Sequence, residues 1–206
     1  MSPIPTLPDA ATLVPFFLAG LVLVATPGPA TLTLAGTSAA YGARQGFLVM
    51  AGLIGSMMLI AALAAGGITA IILSVPGVMP VGSVVAAAYL AYLAWRIATA
   101  PPIGQAATES RAPSFAHGFL LNFVNPKAYA SALALFGGFV LVEGRPVMDA
   151  AVKGILLLGM LVVADLFWIA AGRTLARVVR DPRTGRWVNR AFAAALVLSV
   201  VGAVLL

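Results

Sequence analysis

Residues 45–95 read QGFLVMAGLIGSMMLIAALAAGGITAIILSVPGVMPVGSVVAAAYLAYLAW and contain no Asp, Glu, Lys, Arg or His. An α-helix needs about 20 apolar residues to cross a hydrocarbon core of about 30 Å, so this stretch is long enough for two crossings. Pro76-Gly77 and Pro80 divide it, which predicts one span over residues 46–73 and another over 81–98. Water cannot be the solvent of such a segment. The whole chain agrees: 62% of its 206 residues are hydrophobic, 9% are charged and the mean hydropathy is +1.06, against about 25% charged residues in an ordinary soluble domain.

Toward the N-terminus, a Pro-rich leader precedes a span over residues 12–36 that is interrupted by Pro27-Gly28-Pro29. Arg44 marks the loop after it. Toward the C-terminus, residues 99–113 form the one long polar connection and divide the chain near its midpoint. Beyond it come a span over 115–142 carrying Asn125-Pro126-Lys127, a charged turn over 143–149, a span over 154–172, a basic connection, and a last span over 188–206. The expected fold is an all-α integral membrane protein of six transmembrane helices. It would comprise a three-helix repeat over 1–98, a linker over 99–113 and a second repeat over 114–206. Three spans per half place related halves in opposite orientations, as in carriers built from inverted repeats with broken helices. Setting Val24-Ala25-Thr26-Pro27 beside Phe123-Val124-Asn125-Pro126 puts a helix-breaking proline in the first span of each half.

The net charge of +6 would suggest nucleic acid in a soluble protein, but the basic residues fall mostly in loops, so no nucleic-acid partner is expected. Arg44, Arg96, Arg111 and the arginines of 173–190 fall on one side of the bilayer and only Arg145 and Lys153 on the other. The positive-inside rule then predicts cytoplasmic loops on the first side and both termini outside. Arg44 is the first basic residue, so the apolar N-terminal stretch lacks the basic region of a secretory signal and reads as a retained helix. The chain has no Cys and one His, His117, which excludes disulfides and any multi-His or Cys metal centre. It has no phosphate-binding loop and no metalloprotease motif. Neither an enzyme nor a cofactor is expected.

Three places carry chemistry. Pro27-Gly28-Pro29 removes two backbone donors inside a span, freeing carbonyls that can receive a cation or an ammonium group. Asn125-Pro126-Lys127 places a lysine in mid-span, where a charge costs about 2.5–3.5 kcal/mol on insertion scales and needs partners or water. Asn122, three residues earlier, shares the helical face of Asn125. Asp165 is the other intramembrane charge, a carboxyl able to take up and release a proton as its neighbours change. A static Lys127–Asp165 pair holding helices together is the competing reading. Ala51-x-x-x-Gly55 and Gly52-x-x-x-Ser56 present small residues for close helix packing or dimerisation.

The chain resembles the LysE/RhtB family of bacterial amino-acid exporters. The resemblance is carried in order by residues 25–56 (ATPGPATLTLAGTSAAYGARQGFLVMAGLIGS), 88–101 (AYLAYLAWRIATAP), 115–139 (FAHGFLLNFVNPKAYASALALFGGF), 164–173 (ADLFWIAAGR) and 183–205 (RTGRWVNRAFAAALVLSVVGAVL). It implies two inverted repeats, a homodimer in the bacterial cytoplasmic membrane, and proton-driven export of amino acids or their derivatives. Pro27, Gly28, Pro29, Asn125, Pro126 and Lys127 would lie at the broken-helix centre, with Asp165 nearby. Ala30 stands where the family usually has Asn, and Ser56 where it usually has an acid. A passive channel, a cation or metal exporter and a non-transporting scaffold are the alternatives.

Overall fold

The computed structural model describes residues 10–67 and 112–178, with single positions between 75 and 99 and between 183 and 198. Among the described residues six helices follow one another: α1 (Ala10–Ala25), α2 (Pro29–Tyr41), α3 (Ala43–Ala65), α4 (Phe115–Phe123), α5 (Pro126–Gly138) and α6 (Pro146–Val178). No strand occurs among them. α3 and residues 146–174 of α6 are each long and apolar enough to cross a bilayer; α1 and α2, bent by 54° at the break between them, meet the same length and composition only when taken together as one broken span. The leader, the linker at 100–111 and most of the expected third and sixth spans lie outside the described residues. Single positions there, such as Val84, Tyr92, Trp187 and Val197, are helical.

Local chemistry sets the boundaries, and several differ from the sequence expectation. Arg44 lies in the first turn of α3 rather than in a loop, because Gly42 alone makes the turn from α2, at φ +85°, a conformation that a side chain disfavours. α2 accordingly runs on to Tyr41. α6 begins at Pro146, eight residues before the expected 154, and continues past 172 through Arg173 and Arg177. Asp149 and Lys153, read as turn and loop charges, face each other one helical turn apart within α6, and Lys153 is 1% exposed. Of the two basic residues assigned to the outer loops, only Arg145 precedes α6.

Glycine lets backbones meet where these helices cross. A Cβ on Gly118 would lie 3.0 Å from the Val49 carbonyl carbon, one on Gly52 2.6 Å from Phe119 N, and one on Gly172 3.0 Å from the Ala35 carbonyl carbon. The Gly52-x-x-x-Ser56 face is therefore used within the chain, against α4. Val49 pairs with Gly118 and Leu53 with Asn122, so α3 and α4 run the same way. α2 and α6 are also parallel, since Gly172 meets Ala35 and, seven residues earlier on each, Asp165 and Gly28 line one cavity.

Two apolar clusters result. One joins Leu34, Val49, Met50, Leu53, Leu121 and Ile169; the other joins Phe16, Met57, Ile60, Ala132, Leu135 and Leu157. An aromatic column of Phe115, Phe119, Phe123 and Tyr129, with centroids 5.8–6.3 Å apart, spans the gap between α4 and α5. α3 and α6 contribute to both clusters as unbroken struts. The breaks in α1–α2 and α4–α5 fall at the waist between the clusters, and the cavity opens there.

Candidate functional site

Pro29 and Pro126 each occupy the first position of a 13-residue helix, where a missing N–H has no intrahelical acceptor to lose. Gly28 caps α2: its N–H donates to Thr31 Oγ1 at 2.8 Å, and that hydroxyl donates back to the Gly28 carbonyl at 3.0 Å. Asn125 caps α5, its Oδ1 accepting the Lys127 N–H at 3.1 Å. Pro29 and Pro126 thus hold the same position in their helices, as do Gly28 and Asn125, and Ala30 and Lys127.

Lys127 Nζ donates to the Thr26 carbonyl at 3.1 Å, joining the two breaks across 101 residues of sequence. One carbonyl freed by the Pro-Gly-Pro interruption is thus held by the lysine itself. Asp165, on α6, is 5% exposed, and its Oδ2 has no hydrogen-bond partner. Lys127 and Asp165 make no ion pair, so the static Lys–Asp strut is absent. Both groups nevertheless line the same cavity, of about 70 Å³. On a scale where a water needs roughly 10–15 Å³, that is room for a small organic solute.

Gly28, Pro29, Asn122, Asn125, Lys127 and Asp165 all line this cavity; Pro27 and Pro126 do not, and act by shaping the breaks. Asn122 Nδ2 donates to the Leu53 carbonyl at 3.3 Å, fixing α4 to α3 beside the site. Sequence reasoning missed Thr31 and Ser131. A hydroxyl three residues after a capping glycine and a serine one turn after Lys127 are the signals that mark them. It also missed the apolar wall of Leu23, Val24, Leu53, Met57 and Leu161, which no sequence spacing announces. Ala30 lies in the lining. Ser56 does not, and its buried hydroxyl has no partner.

A second buried cluster is fully engaged. Lys153 Nζ lies 2.6 Å from Asp149 Oδ2, donates to the Phe136 carbonyl at 3.1 Å and also to the Phe139 carbonyl. Asp149 Oδ1 accepts the Leu141 and Val142 N–H groups at 2.6 and 3.0 Å. The pair ties the C-terminal end of α5 and the following loop to α6. His117 caps α4, its Nδ1 accepting the Ser114 N–H at 3.2 Å. Among the described residues no group of three or more His, Cys, Asp or Glu side chains is placed to hold a metal.

Apolar struts, two proline-started half-helices and a waist cavity holding one cation and one carboxyl define a multi-pass helical membrane protein built around a solute-sized site. The model of the LysE type translocator family matches residues 21–206, and the chain belongs to that family, one of transporters and not of enzymes. It is 31% identical over 189 residues to proteins named cysteine/O-acetylserine efflux protein from Salmonella choleraesuis and Salmonella typhimurium, covering 90% of this chain and 94% of each relative. A protein of the same name from Escherichia coli is 28% identical over 186 residues, with the same coverage. No solved structure matches the chain.

Proposed function

We propose that this chain exports a small zwitterionic amino acid, of the cysteine and O-acetylserine kind for which its relatives are named, by exchange for protons across the bacterial cytoplasmic membrane. One observation carries the proposal: a cavity lined by a lysine ammonium and a buried carboxyl that do not pair with each other. A zwitterion brings the missing partner for each. Its carboxylate goes to Lys127, whose ammonium has three donors and gives one to Thr26. The N-termini of α2 and α5 add their positive dipole ends. Its ammonium goes to Asp165. A proton and the ammonium compete for that one carboxylate, and such competition couples the outward passage of one to the inward passage of the other. The breaks at Pro27 and Pro126 are the places where α1 and α5 can swing as access alternates.

The two inverted repeats belong to this reading, supported by the equal lengths and proline starts of α2 and α5. So do the homodimer and the outward-facing termini, the latter resting on the arginines of 173–190. Reconstituted protein should accumulate O-acetylserine in vesicles against an imposed proton gradient, saturably. Flux that neither saturates nor responds to pH would indicate a passive channel, and no flux at all would leave a scaffold.

A further inference from the structure

The polar groups of the cavity fall into two sets. Asn122 gives its amide N–H to Leu53, Asn125 gives its side-chain oxygen to the Lys127 backbone, and the Thr31 hydroxyl both accepts from and donates to Gly28. These atoms are committed to holding the breaks in shape, and what each Asn has left is uncharged. Lys127 and Asp165 remain for a ligand, and the reading above assigns them to the carboxylate and ammonium of an amino acid. Nothing charged is left for its side chain.

The side chain therefore meets the rest of the wall, which is hydrocarbon and thioether apart from the Ser131 hydroxyl and the remaining amide atoms of Asn122 and Asn125. Leu53 and Met57 stand one turn apart on α3, Leu161 stands one turn before Asp165 on α6, and Leu23 and Val24 close the α1 side. A second charge buried against these groups would lose its water and gain no partner. Ser131, one turn after Lys127 on α5, offers a single hydroxyl, which suits a weakly polar group.

We infer that Leu53, Met57 and Leu161 form a side-chain subsite that admits amino acids with small uncharged side chains and rejects basic and acidic ones, with Met57 setting the size limit. Met57 is the one flexible, polarizable group in that wall, able to reshape around side chains of different form. Shortening it opens the subsite and enlarging it closes the subsite. The inference rests on the amino-acid reading of the cavity and goes beyond it.

The test is counterflow of labelled alanine into proteoliposomes loaded with alanine, with leucine, methionine, O-acetylserine, lysine and glutamate as competitors. Wild-type protein should be inhibited by the neutral amino acids, and at least about tenfold less by lysine and glutamate. Met57→Ala should raise the leucine-to-alanine preference on the order of tenfold, and Met57→Phe should lower it. Competition by lysine or glutamate equal to that of leucine would overturn the subsite, and the wild-type panel gives that answer whether or not either variant folds. A preference unchanged in both variants, each still carrying alanine, would remove Met57 as its size limit. Absence of counterflow in wild type with labelled alanine and with labelled O-acetylserine alike is a separate outcome, which overturns the amino-acid reading and the subsite with it.

Discussion

Gly52→Ala is a one-carbon change whose cost can be worked out from the α3–α4 crossing. The added Cβ would lie 2.6 Å from Phe119 N, closer still to the Phe115 carbonyl oxygen, and 3.0 Å from the Phe115 carbonyl carbon. Ordinary contact begins at 3.4 Å, so α4 must withdraw by at least about 0.8 Å, and no side-chain rotation can relieve a clash with backbone. Overpacking of this kind costs about 1–3 kcal/mol. The Asn122–Leu53 hydrogen bond, already 3.3 Å long, does not survive the withdrawal and adds about 0.5–1.5 kcal/mol. A loss of about 1.5–4.5 kcal/mol is expected by denaturant titration in detergent micelles, together with weakened transport, because Asn122 lines the cavity. Gly159→Ala is the control: its Cβ meets nothing within 4 Å among the described residues, and alanine should stabilise α6 there by about 0.5–1 kcal/mol. If the two variants proved equally stable, the close α3–α4 crossing would be wrong.

Lys153→Met takes the cation from the Asp149 carboxylate, leaving it only its two backbone N–H donors, and frees the Phe136 and Phe139 carbonyls, so a loss of about 3 kcal/mol is expected in the same titration. Adding Asp149→Asn should cost much less than a second independent loss, which a double-mutant cycle would measure. Pro29→Ala should change stability by under about 1 kcal/mol, because the first helical position needs no N–H; a larger loss would show that Pro29 does more than start α2. Asp165→Asn keeps the shape of the side chain but cannot exchange a proton, and vesicles carrying it should lose gradient-driven accumulation while the protein stays folded. Unchanged pH coupling in that variant would remove Asp165 from the mechanism.

Much of the site was legible because charge inside an apolar run is expensive. Lys127 and Asp165 stood out for that reason, and the structure brings both to one cavity. The proline breaks were legible too, but not their register. Pro27 and Pro29 are equally disruptive on paper, and only the helix start at 29 shows that Pro29, like Pro126, opens a helix. Lys153 was misread because Glu143, Arg145 and Asp149 nearby suggested a loop. Its charge is instead matched by an acid one turn away and by two carbonyls at the C-terminal end of α5, a tertiary arrangement that leaves no local signature. The apolar wall escaped for a related reason. Met57 and Leu161 look like any other lipid-soluble residue of a span until α3 and α6 are set side by side.

The claim that one cavity reads both charges of a zwitterion is tested most directly by deleting those charges from the ligand. Thermal shifts of purified protein should be compared for alanine, alaninamide, which lacks the carboxylate, and N-acetylalanine, which lacks the ammonium. Alanine should stabilise the wild type in a saturable manner, and each analogue should bind at least about tenfold more weakly for want of one charged hydrogen bond. Lys127→Met should erase the difference between alanine and alaninamide. Either analogue binding the wild type as tightly as alanine would contradict a site built on Lys127 and Asp165 together.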